Sequence, residues 1–307
     1  MKHDIVILGV FVADTAYRAK RQPKMGETLL GSGFALGPGG KGSNQAVAAA
    51  RAGGDTAFLS RLGDDAFADM AMQTWKGAGV HPAVTRDSTS YTGAAYIFVE
   101  EDTGNNAIII APGAAAALSP ADMDANAALI GGAKIFVTQL EQPLDAARRA
   151  LEIARAGGAT TILNPAPAQA LDSAMFALCD YVTPNETETE ILTGLSVTSV
   201  EEARIAAEKL LDMGVKTAII TLGSQGALYH TRTQSELVPA FKAGSVVETT
   251  GAGDAFNGGF AAALSKGMAP LDAVRFGSAV AGISVTRAGT APSMPTLAEV
   301  EALLAKE

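Results

Sequence analysis

The chain has 307 residues, of which 48% are hydrophobic and 18% charged, with 23 basic and 32 acidic side chains for a formal charge of −9. That length buries a sizeable core in one large domain or two moderate ones, and the composition is that of an ordinary globular protein. The acidic balance, with no basic run, argues against nucleic acid as the main partner, and apolar stretches no longer than a strand, such as 5–12 and 107–111, argue against a membrane span.

In chain order, residues 5–10 form an apolar run that predicts a buried first strand, with no charged leader or cleavage site ahead of it. Residues 15–38 hold charges, Pro23 and several glycines but no helical period, so they predict a strand-and-turn excursion from the core. An alanine-rich helix is expected over 41–52, ended by Gly53-Gly54, then a strand over 56–60 and a helix over 64–79 capped at Gly63-Asp64. Residues 83–112 turn to strand chemistry, where two runs, 92–99 and 106–110, flank the turn 101–105 and predict a hairpin. From residue 119 the pattern alternates: helices over 120–130, 143–156, 186–194 and 200–213, with strands over 134–138, 160–163, 181–182 and 217–221. Such alternation predicts a parallel sheet with helices on both faces. A short antiparallel section over 227–238 and helices near 253–265, 270–286 and 296–305 complete the chain. The organisation is one α/β domain over 1–307 with β-rich insertions near 11–38 and 88–113, which can pair into a small sheet over one side of the core.

The single cysteine, Cys179, sits in an apolar stretch; it excludes an intrachain disulfide framework, fits a reducing cytoplasm and reads as a core thiol. His3, His81 and His230 are scattered and fit no zinc spacing.

Several polar groups fall where chemistry is expected. In Thr249-Thr250-Gly251-Ala252-Gly253-Asp254, glycines curl the backbone ahead of a helix, and Asp254 sits at the helix's positive end. A carboxylate there can take a proton from a substrate hydroxyl while backbone N–H groups cradle phosphoryl oxygens; a plain glycine-rich turn capped by Asp has the same sequence. The cluster Gly37-Pro38-Gly39-Gly40-Lys41-Gly42-Ser43-Asn44-Gln45 precedes the alanine-rich helix. It fails the spacing of a P-loop and of a dinucleotide fingerprint, which removes a dinucleotide-dependent dehydrogenase; Lys41 and Asn44, one helical turn apart, can face one ligand. Asp14 follows the first strand and reads equally as a ligand for sugar hydroxyls and as a solvated loop residue. Glu141, and Asn185 with Glu188, come just past predicted strands, where ligands bind in open α/β sheets. The last two share a helical face that can hold a hydrated Mg²⁺, and Asn185 can also be a simple N-cap. Thr221, Gly223 and Gly226 make another strand-to-glycine turn, suited to a nucleotide. The carbonyl-rich loop 286–293 can bind a monovalent cation or simply connect.

Taken in order, Gly39-Gly40-Lys41-Gly42-Ser43-Asn44-Gln45-Ala46, Asn164-Pro165-Ala166-Pro167-Ala168, Thr183-Pro184-Asn185-Glu186-Thr187-Glu188 and Thr250-Gly251-Ala252-Gly253-Asp254 resemble the ribokinase branch of the ribokinase-like (PfkB) sugar kinases. The resemblance runs essentially the whole length. It implies a ribokinase-like α/β fold, with a mostly parallel sheet flanked by helices and a small β lid that also pairs two subunits. It also implies ATP-dependent phosphorylation of a sugar at its terminal hydroxymethyl, D-ribose to ribose 5-phosphate foremost. By the resemblance Asp254 is the base and the 251–253 backbone, Gly251, Ala252 and Gly253, the anion hole. Asp14, Gly40, Lys41, Asn44 and Glu141 line the sugar site. Asn185 and Glu188 serve Mg²⁺ and the phosphates; Thr221, Gly223, Gly226 and Gly253 contact ATP. A K⁺ site would comprise Glu248, Thr250, carbonyls of Ser284, Arg287 and Gly289, and the Ser293 hydroxyl.

Two positions depart from the family pattern. Val12 stands where ribokinases usually have Asn, leaving an apolar wall that suits a substrate lacking one hydroxyl, such as a deoxypentose. The lost hydrogen bond is worth about 1 kcal/mol, enough to shift preference without forbidding ribose. Glu248 replaces the usual Asp of the cation site, and its extra methylene can crowd the ion. The readings carried forward are a ribose kinase, a kinase for 2-deoxyribose, another sugar or a nucleoside, and a non-catalytic sugar- or nucleotide-binding regulator.

Overall fold

A computed structural model describes residues 2–306. The chain opens with strands β1 (Ile5–Leu8), β2 (Val12–Ala19) and β3 (Gly33–Gly39), helix α1 (Lys41–Arg51), β4 (Thr56–Gly63), α2 (Ala66–Ala78), and strands β5 (His81–Asp87), β6 (Thr92–Glu100) and β7 (Asn106–Gly113). The middle holds α3 (Pro120–Ala125), α4 (Ala127–Ile130), β8 (Ile135–Thr138), α5 (Leu144–Ala156), β9 (Thr160–Leu163), α6 (Ser173–Phe176), β10 (Tyr181–Val182), α7 (Glu186–Thr193) and α8 (Val200–Asp212). It closes with β11 (Thr217–Thr221), β12 (Ala227–His230), β13 (Ser235–Val238), α9 (Ala252–Ser265), α10 (Pro270–Ser284) and α11 (Leu297–Leu304).

The strands form a nine-stranded sheet, ordered β13-β12-β11-β10-β9-β8-β1-β4-β5, and a four-stranded sheet, ordered β3-β2-β6-β7. The large sheet is parallel from β5 to β11, and β12 and β13 add an antiparallel edge. Its central strands are buried on both faces because helices cover both, and successive side chains of one strand feed opposite cores. Ile5 and Ile7 join α1, α2, α9 and α10 on one face, while Val6 and Leu8 join α5 and α8 on the other. Where α1 and α9 cross, a Cβ on Gly258 would lie 2.5 Å from that of Ala48, so only glycine permits this approach.

The two predicted insertions do pair. β2 lies antiparallel to β3 and parallel to β6, and β6 forms a hairpin with β7. Several boundaries differ from the sequence reading. Asp65, not Asp64, caps α2, because its side chain accepts the Ala68 N–H. The helix expected over 120–130 is broken at Asn126 into α3 and α4. Strand β5 carries little apolar periodicity, since it is the exposed edge of the sheet, and the sequence assigned it no separate strand. Among the described residues, no helix is long and apolar enough to cross a membrane.

Candidate active site

Parallel strands release their chains at one edge, so residues far apart in sequence meet at the carboxyl end of the sheet. Glu141 follows β8, Asn164 follows β9, Thr183 and Asn185 follow β10, and Thr221 ends β11. The N-termini of α1 and α9 point to the same edge. Together they enclose a cleft of about 130 Å³ lined by Lys41, Asn164, Asn185, Glu188, Thr221 and Asp254, among others. A larger cavity of about 440 Å³ lies at the opposite, amino edge around Arg155, Asp180 and Lys216. Arg155 and Lys216 both pair with Asp180, and the cavity holds none of the groups named above.

Asp254 is in the first turn of α9 and is buried. The turn before it works because Gly251 sits at the helix N-cap with φ of 82°, a conformation a side chain would strain. The Ala252 N–H donates to the Thr249 carbonyl at 3.1 Å, so its donor is spent within the turn. Of the expected 251–253 cradle, Gly251 and Gly253 keep N–H groups with no backbone acceptor, and Asp254 adds another ahead of the first intrahelical bond, from the Ala255 N–H to the Gly251 carbonyl. A Cβ on Gly253 would meet nothing within 4 Å, which leaves an open approach to that cradle.

The carboxylate is held from both sides. Asn44 Nδ2 donates to Asp254 Oδ2 at 3.1 Å, and Gln45 Nε2 donates to Asp254 Oδ1 at 3.1 Å. Gln45 is itself fixed: it also donates to Asn164 Oδ1 at 3.0 Å, and its Oε1 accepts from Gln139 Nε2 at 2.6 Å. Asn164 continues the chain to the Thr183 carbonyl, and the Thr183 hydroxyl donates to Asn257 Oδ1. This amide network was not assigned from sequence. Gln45, Asn164 and Thr183 stand inside the quoted motifs, but only the fold shows that Gln45 and Asn44, adjacent on α1, both reach one carboxylate.

Charge in the cleft is concentrated. Burial pushes Asp254 above the ordinary carboxylate range, against the opposing pull of Lys41 and the two amides. Burial also pushes Glu141 up to about 7, opposed by the Lys41 charge and backbone N–H, while Asp14 is pushed up to about 6 by burial and by the Asp254 charge. Glu188 is raised, again chiefly by burial. For Lys41 burial works against the ammonium, but Asp254, Glu141 and Glu188 outweigh it and raise its pKa.

The predicted sugar-site residues converge at the junction of the two sheets. Glu141 Oε2 accepts the Lys41 backbone N–H at 2.8 Å and so caps α1. Asp14 lies on β2 opposite β3, and a Cβ on Gly39 would fall 2.2 Å from Asp14 Oδ2; glycine there makes room for the carboxylate. Asn44 Oδ1 is buried without a hydrogen-bond partner, an acceptor left over on the amide that holds Asp254. Val12, 3% exposed, packs among Val10 and Ala95.

Asn185 is an N-cap as well as a cleft residue. Its Oδ1 accepts the Glu188 N–H at 2.8 Å, and Glu188 Oε2 accepts the Asn185 N–H at 2.9 Å. The carboxylate keeps lone pairs for a water-bridged Mg²⁺, which suits an ion that dehydrates reluctantly. At the nucleotide turn, Gly223 is exposed, whereas Gly226 is buried: a Cβ on it would lie 2.0 Å from the Val238 carbonyl. Near the predicted cation site, Glu248 Oε2 accepts the Gly289 N–H at 2.8 Å, and the Ser293 hydroxyl donates to the Thr290 carbonyl at 2.7 Å. The Ser284 carbonyl accepts the Arg287 N–H at 3.1 Å, while Thr250 is exposed. Carboxylate, hydroxyl and carbonyl oxygens are hard donors of the kind an alkali cation takes. Thr290 packs 3.3 Å from where a Gly251 Cβ would stand and donates to the Pro38 carbonyl, so this loop touches both glycine turns.

A buried carboxylate at a helix N-terminus, beside a lysine and at the carboxyl edge of a doubly covered sheet, has the parts of a small-molecule phosphotransferase. Comparison with known proteins agrees. The model of the pfkB family of carbohydrate kinases matches residues 2–297, and the chain belongs to that family. It is a sugar kinase. The chain is 39% identical over 300 residues to the ribokinase of Haemophilus influenzae, covering 97% of each. It is also 39% identical over 296 residues to the deoxyribokinase of Salmonella typhi, covering 96% of each. Among solved structures, Arabidopsis thaliana ribokinase complexed with ribose and ATP superposes with a TM-score of 0.93 at 31% identity, covering 99% of each chain.

Proposed function

We propose that this kinase transfers the γ-phosphoryl group of ATP to the terminal hydroxymethyl oxygen of a pentose, with D-ribose as the principal acceptor. The observation that carries the reading is Asp254: buried at the start of α9, gripped by Asn44 and Gln45, with free N–H groups beside it. Asp14, Asn44, Glu141 and the Gly40–Lys41 backbone hold the sugar so that its hydroxymethyl faces Asp254 Oδ. Asp254 takes the hydroxyl proton as the oxygen attacks the γ-phosphorus, and the bond to the β-phosphate oxygen breaks. The Gly251 and Gly253 N–H groups, joined by that of Asp254 and the Lys41 ammonium, offset the charge on the migrating group, the Ala252 N–H being spent on the Thr249 carbonyl. Thr221 and Gly223 border the nucleotide, and Gly226 shapes the turn that carries them. Asn185 and Glu188 would hold Mg²⁺ through water. Bound there, the ion screens the triphosphate charge.

The residues of loop 286–293 with Glu248 and Thr250 fit activation by a monovalent cation such as K⁺, which would brace the turn at Gly251. The four-stranded sheet serves as a lid over the sugar, and closure excludes water that would otherwise hydrolyse ATP. The face turned away from Asp14 exposes Tyr17, Phe34, Leu36 and Ile109, a patch that supports pairing of two subunits lid to lid. A cytoplasmic location fits the single, unpaired thiol and the nucleotide substrate. Val12 favours a second acceptor, 2-deoxyribose, since its side chain offers no partner to a hydroxyl.

ADP release from Mg²⁺·ATP, measured across ribose, 2-deoxyribose, arabinose, fructose and a nucleoside, tests the reading. Ribose is expected to give the highest kcat/KM. Preference for deoxyribose would move specificity to Val12, and tight sugar binding without ADP release from any acceptor would make the protein a sensor rather than a kinase.

A further inference from the structure

At the amino edge of the large sheet, opposite the cleft, the chain enters three neighbouring strands within a few residues. His3 precedes β1, Asp55 precedes β4, and His81 opens β5; these strands are adjacent in the order β1-β4-β5. The sequence reading treated the histidines as scattered, and in sequence they are. The parallel register Ile5↔Thr56 and Ala57↔His81 brings them together.

The three side chains already converge. His3 Nδ1 lies 2.9 Å and His81 Nε2 3.7 Å from the same oxygen, Asp55 Oδ1, and the imidazoles stack with centroids 4.4 Å apart at 30°. One potential ligand atom from each lies within 4.8 Å of the others. Zinc takes histidine nitrogen and carboxylate oxygen at about 2.0–2.2 Å, so tetrahedral ligands stand about 3.3 Å apart. Shifts on the order of 1 Å would bring these atoms to that spacing, which exposed side chains such as Asp55 and His81 can make.

We propose that His3, Asp55 and His81 form a binding site for a borderline divalent cation of the Zn²⁺ class, with water at the remaining position. Two imidazoles and one carboxylate select against Mg²⁺ and Ca²⁺, which prefer oxygen. His3, 8% exposed, is the fixed ligand, and the two exposed ligands close on the ion from solvent. Strand β5 is the free edge of the sheet, so the ion ties that edge to β1 and β4. Its role is structural, since the catalytic residues stand at the other ends of these strands.

The test is a calorimetric titration of the untagged full chain with Zn²⁺, in excess Mg²⁺ to occupy the cleft carboxylates. One Zn²⁺ per chain is expected, with roughly tenfold or greater loss of affinity in His81→Ala and in Asp55→Asn. Because both altered side chains are exposed, circular dichroism should show folded variants. Zn²⁺ should also raise the Tm of the parent and leave that of His81→Ala unmoved. No Zn²⁺ uptake by the parent, or equal affinity in parent and both variants, overturns the proposal.

Discussion

The cleft and the outer face of the small sheet invert the usual rule of burial in opposite directions. The cleft buries polar groups: Asn44, Gln45, Gln139, Asn164, Thr183, Asp254 and Asn257 are all nearly inaccessible. The small sheet exposes apolar ones, with Phe34 60% and Ile109 67% accessible. Each is costly alone. A buried carboxylate needs compensation by hydrogen bonds, and an exposed apolar patch loses contact it would gain against a partner. The difference teaches what each region is suited to meet: a charged ligand in the cleft, an apolar surface on the sheet.

The comparison breaks most sharply at Asp254. Asp254→Asn should keep the circular dichroism spectrum and lower turnover by roughly 10²–10⁴-fold, because the amide cannot accept the proton. Turnover near the parent level would remove Asp254 as base. A subtler change is Gly39→Ala, whose methyl must displace the Asp14 carboxylate. Sugar KM is expected to rise roughly 10- to 100-fold, the worth of hydrogen bonds to a charged group, with ATP affinity little changed. An unaltered sugar KM would show that Asp14 does not hold substrate.

The exposed sheet makes a prediction of its own. Ile109→Asp places a charge within the apolar patch, on edge strand β7, and should shift sedimentation from dimer to monomer by raising the dissociation constant about 30-fold or more, the effect of a hot-spot residue. Sedimentation as a monomer by the parent across concentrations would instead leave the patch without a second subunit.

The smallest expected effect is on stability. Glu141 has a folded-state pKa raised to about 7, so the folded ligand-free protein holds a proton that the unfolded chain releases near 4.5. The sign follows: this contribution is present below pH 4.5 and fades as pH rises through 7. Replacing Glu141 by Gln should therefore stabilise the ligand-free protein by about 1–3 kcal/mol at pH 8 and leave it little changed at pH 5. Denaturant unfolding at the two pH values measures it, and an equal effect at both would mean that the carboxylate is not held protonated.

Much of this was legible in the sequence, for a local reason. Strands 160–163, 181–182 and 217–221 and the alternation around them are set by apolar period, and the glycine turns at 251 and 40 by residues that alone tolerate positive φ. Less local features were not legible. The break at Asn126, the plain edge strand β5 and the cap at Asp65 rather than Asp64 turn on which group finds a hydrogen-bond partner. Gln45 is the clearest instance at the site, since nothing in its neighbours says that it bridges Asp254 and Asn164.

The sequence by itself determined the alternating α/β order, the two insertions and the motifs that place the chain among carbohydrate kinases. These depend on residue type and spacing, which the chain carries before it folds. Only the tertiary structure decided which groups share a space: the three carboxylates gathered around Lys41, the amides that grip Asp254, and the two histidines brought to Asp55. Parallel strands bring about both gatherings, because they carry all chain exits to one edge and all entrances to the other, whatever the distance along the chain.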